Sequence, residues 1–173
     1  MKRTIALWQI MGFSVSALGG TILHFLYDLL DEKTYVAPFS AVNESTWEHM
    51  KLIFWPMLIY TVIESFFFKD RKDFICIKTM GILLALILIP TIFYTYNGVI
   101  GKSADWINIS IFFIALAIAY IYETKKFKEG AKCESSRLAI AILASLALLF
   151  VIFTFFPPKI EIFKDPITGG YGI

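Results

Sequence analysis

The sequence predicts an all-α fold, a polytopic bundle of five transmembrane helices. Of its 173 residues, 58% are hydrophobic and 17% are charged, and the mean hydropathy is +0.70. Soluble domains are roughly 45–50% apolar and about 25% charged. The excess of apolar residues lies in five long runs, each close to or above the roughly 18–20 residues that cross a bilayer as a helix. This composition excludes an ordinary cytosolic enzyme, a disordered tail and a collagen-like fibre.

The predicted spans are helical because lipid offers backbone N–H and C=O groups no hydrogen-bond partner, and a helix satisfies its own. In chain order they cover residues 5–27, 46–68, 74–96, 106–122 and 138–156. The fourth span, with 17 residues, is at the short end of the usual range. We therefore expect one transmembrane domain over residues 1–173, with an outer loop at 28–45 and an outer tail at 157–173.

The orientation follows from the lysines and arginines between the spans, which favour the cytoplasmic side. With the N-terminus inside, eleven of the 16 lie on the cytoplasmic side and five lie outside. We therefore predict a cytoplasmic N-terminus and an outer C-terminus. The first span is expected to be retained, because its 23 residues exceed a typical signal core and the segment from His24 to Asp28 is not a small-residue cleavage site.

The two cysteines are not expected to pair. Cys76 and Cys133 both fall near the predicted cytoplasmic face, where thiols are kept reduced, and they do not form a C-x-x-C motif for metal binding or redox chemistry. The net charge of +2 is small and no basic stripe is present, so we expect no nucleic-acid partner. The expected partners are the lipid bilayer and either a second copy of the chain or another membrane protein.

Glu64 and Lys78 are candidate functional residues, because ionisable side chains inside a span are costly. They lie seven positions before and after Arg71, the centre of the turn at 69–73. In an antiparallel helix pair they share one depth, about one to two turns from the cytoplasmic face. A structural ion pair, or two side chains that extend to lipid headgroups, is the simpler interpretation. The functional interpretation is a cytoplasmic proton or cation gate.

Small and polar residues recur at every fourth position along the first span. They are Gly12, Ser16, Gly20, His24 and Asp28. Residues four apart are neighbours on a helix, and small residues let another helix approach closely. The stripe therefore predicts a protein-facing seam that ends, near the outer surface, in a histidine and a carboxylate.

The second histidine lies in a polar segment that leads into the second span. This segment contains Asn43, Glu44, Ser45, Glu48 and His49. Because the first two spans are antiparallel, His24 and His49 are expected at the same outer face. Ser45 and Glu48 fit the capping-box pattern, which explains these two residues without any ligand. The capping box leaves Asn43, Glu44 and His49 unexplained. Both interpretations of the segment, a structural cap and a polar site, therefore remain.

Metal binding is the chemistry that this outer cluster favours most. Imidazole nitrogens and carboxylate oxygens bind zinc and similar divalent ions, and a catalytic zinc takes three protein ligands with an open position for water. The predicted ligands are His24, His49, Asp28 and Glu44. Glu48 is the candidate general base toward metal-bound water. No H-E-x-x-H spacing is present, so the ligands have to come from two helices and a loop.

The tail after Pro157-Pro158 combines turn signals with apolar residues. Asp165-Pro166 and Gly169-Gly170 are typical of turns, whereas a disordered tail is expected to be poorer in Phe, Ile and Tyr. We expect the tail to fold back over the outer mouth, where Asp165 joins the two histidines. The alternative is an ordinary surface turn.

Two motifs carry a resemblance to known proteins. At His24-Phe25-x-Tyr27-Asp28 and Asn43-Glu44-Ser45-x-Trp47-Glu48-His49-x-Lys51, the chain resembles an uncharacterised family of small bacterial integral membrane proteins. The resemblance implies a location in the bacterial plasma membrane and brings no activity with it. A looser similarity relates the chain to membrane hydrolases with a three-histidine zinc site, although this sequence supplies only two histidines.

Three functions are open on the sequence. The first is an outer polar site for a divalent metal or a small polar ligand, which includes a membrane-embedded, metal-dependent hydrolase of lipid or peptide. The second is a small transporter or ion-coupled subunit that uses Glu64, Lys78 and the His24–Asp28 stripe as polar stations. The third is a non-catalytic partner protein whose motifs shape a docking surface.

Overall fold

The structure is a computed structural model that describes residues 2–101 and 105–173. This part of the chain contains five α-helices and one short 3-10 turn. The elements are α1 (Lys2–Leu29), α2 (Thr46–Ser65), α3 (Phe74–Ile100), α4 (Asp105–Glu129), α5 (Ser136–Phe155) and the 3-10 turn Glu161–Phe163. The all-α prediction is confirmed for these residues, and each α-helix overlaps the predicted span at its place in the chain.

The largest difference from the predicted spans lies at the C-terminal end of α4. The apolar run ends at Tyr122, but the helix continues to Glu129. It stops at Gly130, which has a φ of 82° and donates its N–H to the Lys126 carbonyl oxygen at 2.8 Å, a common way to end a helix. Hydropathy marks the end of an apolar run rather than the end of a helix. The additional turns bring Glu123 into the bundle, where it has no exposed surface.

Four of the five α-helices are long and apolar enough to cross a membrane, which makes the chain a multi-pass membrane protein. The segments are Thr4–Leu29, Phe74–Ile100, Trp106–Glu129 and Ser136–Phe155. The exception is α2, which carries Glu48, Lys51 and Glu64, all buried. Because α2 packs against the other four α-helices, these charges face protein rather than lipid. The fifth span therefore stays a prediction, as does the orientation of the termini.

The bundle has two ends, which we name by the chain termini. The amino-terminal face carries the start of α1 and the turns at 66–73 and 130–135. The carboxy-terminal face carries the loop at 30–45 and the tail at 157–173. In the predicted orientation, the first is cytoplasmic and the second is outside.

The middle of the bundle is apolar. Side chains from α2, α3 and α4 form one core cluster there, and their packing excludes water from the space between the two faces. Its fully buried members include Ile53, Met57, Ile82, Ala85, Ala115, Leu116 and Ala119. This apolar layer separates the polar groups near one face from those near the other.

The predicted seam on α1 is confirmed at its first three positions. A Cβ atom at Gly12 would lie 2.6 Å from the rings of Tyr60 and Tyr120, and one at Gly20 would lie 2.6 Å from a backbone carbonyl oxygen of α2. Between the two glycines, the hydroxyl of Ser16 lies 2.8 Å from that of Tyr120. Small side chains at these positions let α1 pack closely against α2 and α4.

A disulfide joins Cys76 to Cys133, so the expectation that the two cysteines stay unpaired is wrong. Cys76 lies in the first turn of α3 and Cys133 lies in the turn between α4 and α5, so both are at the amino-terminal face. Their Cα atoms are 5.6 Å apart, a distance that a disulfide bridges without backbone movement. A reducing compartment disfavours disulfides in general, but the packing of these two segments determines whether the two sulfur atoms meet.

Candidate functional site

His24 and His49 lie side by side at the carboxy-terminal face, brought there by the antiparallel packing of α1 and α2. Their ring centroids are 5.7 Å apart. The carboxylate of Glu44 lies beside both, with Oε1 3.9 Å from Nε2 of His24 and Oε2 3.5 Å from Nε2 of His49. These side chains are between 25% and 42% exposed, so a ligand can reach them. Asp28, the other predicted ligand on α1, is exposed one turn further along the helix.

The orientation of the His49 ring is set by its own helix. Nδ1 lies 3.0 Å from the carbonyl oxygen of Ser45, and since a carbonyl oxygen only accepts, Nδ1 is assigned as the donor. Nε2 therefore points toward Glu44. If Nε2 carries no proton, this nitrogen and the Glu44 carboxylate are both acceptors and cannot form a hydrogen bond with each other. A proton on the ring, or the donor group of a ligand between them, makes the contact favourable.

Glu48 lies apart from the two histidines. It is 2% exposed, and its Oε2 lies 2.5 Å from Nζ of Lys51 and accepts the Val42 N–H at 3.1 Å. Lys51 also donates to the carbonyl oxygen of Ala37 and to the hydroxyl of Thr154, at 2.7 and 2.8 Å. This buried ion pair joins α2 to the loop at 30–45 and to α5.

Asn43 and Ser45 form the start of α2. The Ser45 hydroxyl accepts the Glu48 N–H at 3.4 Å, which is the first half of the predicted capping box. The Glu48 carboxylate does not return to the Ser45 N–H, because Asn43 Oδ1 accepts that group at 2.9 Å. Asn43 Nδ2 donates to the carbonyl oxygen of Gly172 at 3.0 Å. Asn43 therefore holds the helix start and the tail together.

The tail folds back over this face and is fastened by Asp165, which is 5% exposed. The Asp165 carboxylate accepts the Ile167 N–H at 3.0 Å, the Thr168 hydroxyl at 2.5 Å and the backbone N–H of Glu44. Burial raises the pKa of Asp165, but these hydrogen bonds outweigh it and hold the pKa below its usual value. Asp165 thus meets the backbone, not the side chain, of the residue that lies beside the histidines.

A cavity of about 280 Å³ opens beside the cluster, among α2, α3, α4 and the tail. Its polar lining includes Glu44, His49 and Asn108, and its apolar lining includes Phe93, Phe112 and Ile167. Asn108 Oδ1 is buried and has no hydrogen-bond partner among the described residues. The cavity therefore combines a carboxylate, a buried acceptor and aromatic rings.

Residues 2–101 and 105–173 contain no group of three His, Cys, Asp or Glu side chains that could hold a metal ion. His24, His49 and Glu44 approach one another, but at the distances given above they do not form a ready ligand set. Asp28 is exposed and Glu48 is paired with Lys51. The structure thus brings together three of the five residues predicted for a metal-dependent site.

A second cluster lies near the amino-terminal face, where Glu64 and Lys78 share one depth, as their register about Arg71 predicts. Lys78 Nζ is 3.0 Å from Oε2 of Glu64 and 2.5 Å from Oε2 of Glu123, and none of the three residues is exposed. Gln9 Nε2 donates to Oε1 of Glu64 at 2.7 Å. Four helices therefore contribute to one buried network.

Two members of this network, Glu123 and Gln9, were not predicted from the sequence. Glu123 falls one residue beyond the predicted fourth span, beside the lysines of the helix end, and there it resembled an ordinary surface charge. One available signal was Gly81, one turn after Lys78, because the Glu123 carboxylate occupies the space that a side chain at Gly81 would need. Gln9 is an uncharged residue in an apolar run and carried no comparable signal.

Comparison with known proteins identifies a family and no activity. The model of a family of unknown function, DUF6512, matches residues 1–173. No curated protein and no solved structure matches the chain.

Proposed function

Because the chain belongs to DUF6512, a family of unknown function, we propose a function for it from the site at the carboxy-terminal face. The protein is a membrane protein that binds a small, mainly apolar molecule carrying an amine or ammonium group. The observation that carries this proposal is the cavity of about 280 Å³ in which a carboxylate, an imidazole and aromatic rings meet. Ligand pockets of this kind combine an apolar lining with a few polar groups that orient the ligand.

The polar lining favours a ligand that donates hydrogen bonds and carries positive charge. Glu44 supplies a carboxylate, Nε2 of His49 faces it at 3.5 Å, and Asn108 Oδ1 is a buried acceptor without a partner among the described residues. An ammonium group has only hydrogen-bond donors. It can therefore donate to the acceptors of this lining, which cannot hydrogen-bond to one another. A buried acceptor without a donor is costly, and a ligand that supplies the donor removes this cost.

The apolar lining favours an aromatic or aliphatic body on the same ligand. Phe93 and Phe112 line the cavity, and aromatic rings attract cations as well as apolar groups. Ile89 and Ile111 complete the wall on α3 and α4, and Ile167 approaches from the tail. The tail therefore belongs to the binding site, and its order is expected to affect ligand affinity.

Benzylamine, which has one ring and one ammonium group, is a suitable probe. We expect isothermal titration calorimetry of the purified protein to show saturable binding, and Glu44→Gln to weaken it about tenfold, the effect of losing a partly exposed charge-assisted hydrogen bond. Glu129→Gln is the matched control, since Glu129 is an exposed acid at the end of α4. It should bind as the wild type does.

Benzyl alcohol separates the charge of the probe from its ring. Equal affinity for benzyl alcohol and benzylamine, or benzylamine binding that Glu44→Gln leaves unchanged, would contradict the proposal. Either result would indicate an apolar cavity filled by any small molecule or by a lipid chain.

A divalent metal such as zinc is the second candidate, favoured by the approach of two imidazoles to one carboxylate. Titration with zinc chloride tests it: stoichiometric binding that His24→Ala and His49→Ala abolish would replace the amine ligand by a metal site. A hydrolase needs a general base as well, and Glu48, the residue predicted for that role, is paired with Lys51. We therefore place ligand binding ahead of metal-dependent hydrolysis.

A transporter is supported less well than a binding protein. The polar cavity and the network of Glu64, Lys78 and Glu123 lie near opposite faces, and the fully buried Leu116 and Ala119 of α4 lie between them. Along α4, Asn108 of the cavity and Glu123 of the network are 15 positions apart, or about 22 Å of helix. Passage of a polar substrate requires this apolar layer to open.

A further inference from the structure

The buried network near the amino-terminal face contains more acidic groups than basic ones. Lys78 Nζ lies within 3.0 Å of a carboxylate oxygen from Glu64 and another from Glu123. All three side chains have no exposed surface. If every group carries its usual charge, two negative charges face one positive charge, and the network has a net charge of −1.

A net charge enclosed by protein is far more costly than a balanced pair, because no water is present to solvate it. Gln9, the fourth member, is uncharged and donates to Glu64, so it does not balance the charge. Among the side chains that the structure describes, the charged and titratable groups that face the network are Tyr60 and Glu64 on α2, Lys78 on α3, and Tyr120 and Glu123 on α4. Lys78 is the single cation among these described groups, and its ammonium lies 5.7 and 4.9 Å from the centroids of the two tyrosine rings.

The bonding of the network independently indicates a missing hydrogen. Oε1 of Glu123 and Oε1 of Gln9 are buried, and neither has a hydrogen-bond partner among the described residues. The parent side chains of these two atoms are at most 2% exposed, so bulk water does not reach them. Glu64 differs, because its Oε2 lies 3.0 Å from the Lys78 ammonium and its Oε1 accepts a hydrogen bond from Gln9 Nε2. An additional proton on a carboxyl turns an acceptor into a donor.

The second buried ion pair provides a contrast within the same chain. Glu48 and Lys51 are 2% and 0% exposed, but they are present in equal number and their charges cancel. Their remaining bonds go to the Val42 N–H, the Ala37 carbonyl oxygen and the Thr154 hydroxyl. A pair that is neutral and fully bonded has no need of a proton.

We propose that Gln9, Glu64, Lys78 and Glu123 form a proton-binding site in which one exchangeable proton is shared between the carboxyls of Glu64 and Glu123. With that proton bound, one carboxylic acid, one carboxylate and one ammonium give a neutral network. Release of the proton forms the second carboxylate and leaves the net charge of −1. The site is separate from the ligand cavity and does not depend on the function proposed for it.

The position of the site connects it to the amino-terminal face. Glu64 lies next to the last residue of α2, and Lys78 is the fifth residue of α3, so the network is about one to two helical turns from that face. It also joins four helices, so gain or loss of the proton changes the interaction that holds α4 against α2 and α3. Proton binding is therefore expected to be coupled to the packing of this end of the bundle.

Infrared spectroscopy of the protein in lipid vesicles tests the proposal, because a protonated carboxyl has a C=O stretching band that an ionised carboxylate lacks. We expect the wild type at neutral pH to show such a band, and Glu123→Gln and Glu64→Gln each to remove it, since the remaining carboxylate then balances Lys78. Glu48→Gln, the matched control in the neutral ion pair, should leave the band in place. Lys78→Met should increase it, because both carboxyls then stay protonated.

A wild type without the band at neutral pH would overturn the proposal, as would a band that survives both Glu64→Gln and Glu123→Gln. The stability of the variants is itself a test. Glutamine has nearly the shape of a protonated glutamic acid, so at least one of the two positions must accept it. If neither variant folds, the network does not contain a neutral carboxyl and the proposal is wrong.

Discussion

At the scale of single residues, Gly20 sets how closely α1 approaches its neighbours. A Cβ atom there would lie 2.6 Å from the Leu52 carbonyl oxygen and would also contact the ring of Phe112. Since a backbone carbonyl cannot move aside cheaply, we expect Gly20→Ala to destabilise the protein by about 1–3 kcal/mol. Thermal unfolding in detergent measures the change.

Gly98 is the matched control for this prediction. It lies in α3, and a Cβ atom there would have no other atom within 4 Å. Gly98→Ala should leave the stability unchanged or raise it slightly, because alanine favours a helix more than glycine does. Equal unfolding temperatures for the two variants would show that the seam on α1 tolerates a larger side chain.

Residue positions that depend on helix geometry were the most predictable part of the candidate sites. The register about Arg71 correctly pairs Glu64 with Lys78, and antiparallel helices correctly bring His24 close to His49. The carboxylates around the histidines were less predictable. Of the three that the sequence offered, Glu44 lies beside both histidines, whereas Asp28 is exposed and Glu48, although adjacent to His49 in sequence, points about 100° away from it on the helix.

At the scale of the elements, the tail is part of the folded structure because Phe163 packs into the bundle. Phe163 is 5% exposed, and its ring lies 4.7 Å from that of Trp47 on α2 and 5.3 Å from that of Phe153 on α5. Phe163→Ala removes a buried ring and should destabilise the protein by about 3 kcal/mol, as measured by thermal unfolding.

Ile167→Ala provides the comparison for the tail. Ile167 is 77% exposed but lies at the cavity, so its truncation should leave the unfolding temperature unchanged and weaken benzylamine binding. Loss of stability in Ile167→Ala, or none in Phe163→Ala, would mean that the tail is held by its hydrogen bonds at Asn43 and Asp165 rather than by packing.

Hydropathy alone is sufficient to predict some helix boundaries of this chain and insufficient for others. The start of α3 at Phe74 coincides with its predicted boundary, because the charged turn at 69–73 ends where the apolar run begins. The end of α4 does not, because a helix continues through charged residues when one of them, Glu123, has a buried partner. The disulfide was unpredictable for a similar reason, since Cys76 and Cys133 meet only once α3 and the turn at 130–135 are packed together.

At the scale of the whole molecule, the positive charges of the loops and the disulfide favour opposite orientations of the bundle in the membrane. Eleven of the 16 lysines and arginines belong to the amino-terminal side, which predicts that this face is cytoplasmic. The disulfide between Cys76 and Cys133 lies at the same face, and disulfides persist mainly in oxidising compartments. Loop charges direct insertion before the helices pack, so we expect them to determine the orientation.

Cysteine labelling with a membrane-impermeant maleimide in intact cells tests this expectation. In a background carrying Cys76→Ser and Cys133→Ser, we expect Lys33→Cys, at an exposed position in the loop at 30–45, to react at once. Lys69→Cys, in the exposed turn at 66–73, should react only after the cells are made permeable. The reverse pattern would place the disulfide in the oxidising compartment and the ligand cavity in the cytoplasm. It would also mean that the buried network exchanges its proton with the outside, so the labelling result decides which compartment each site faces.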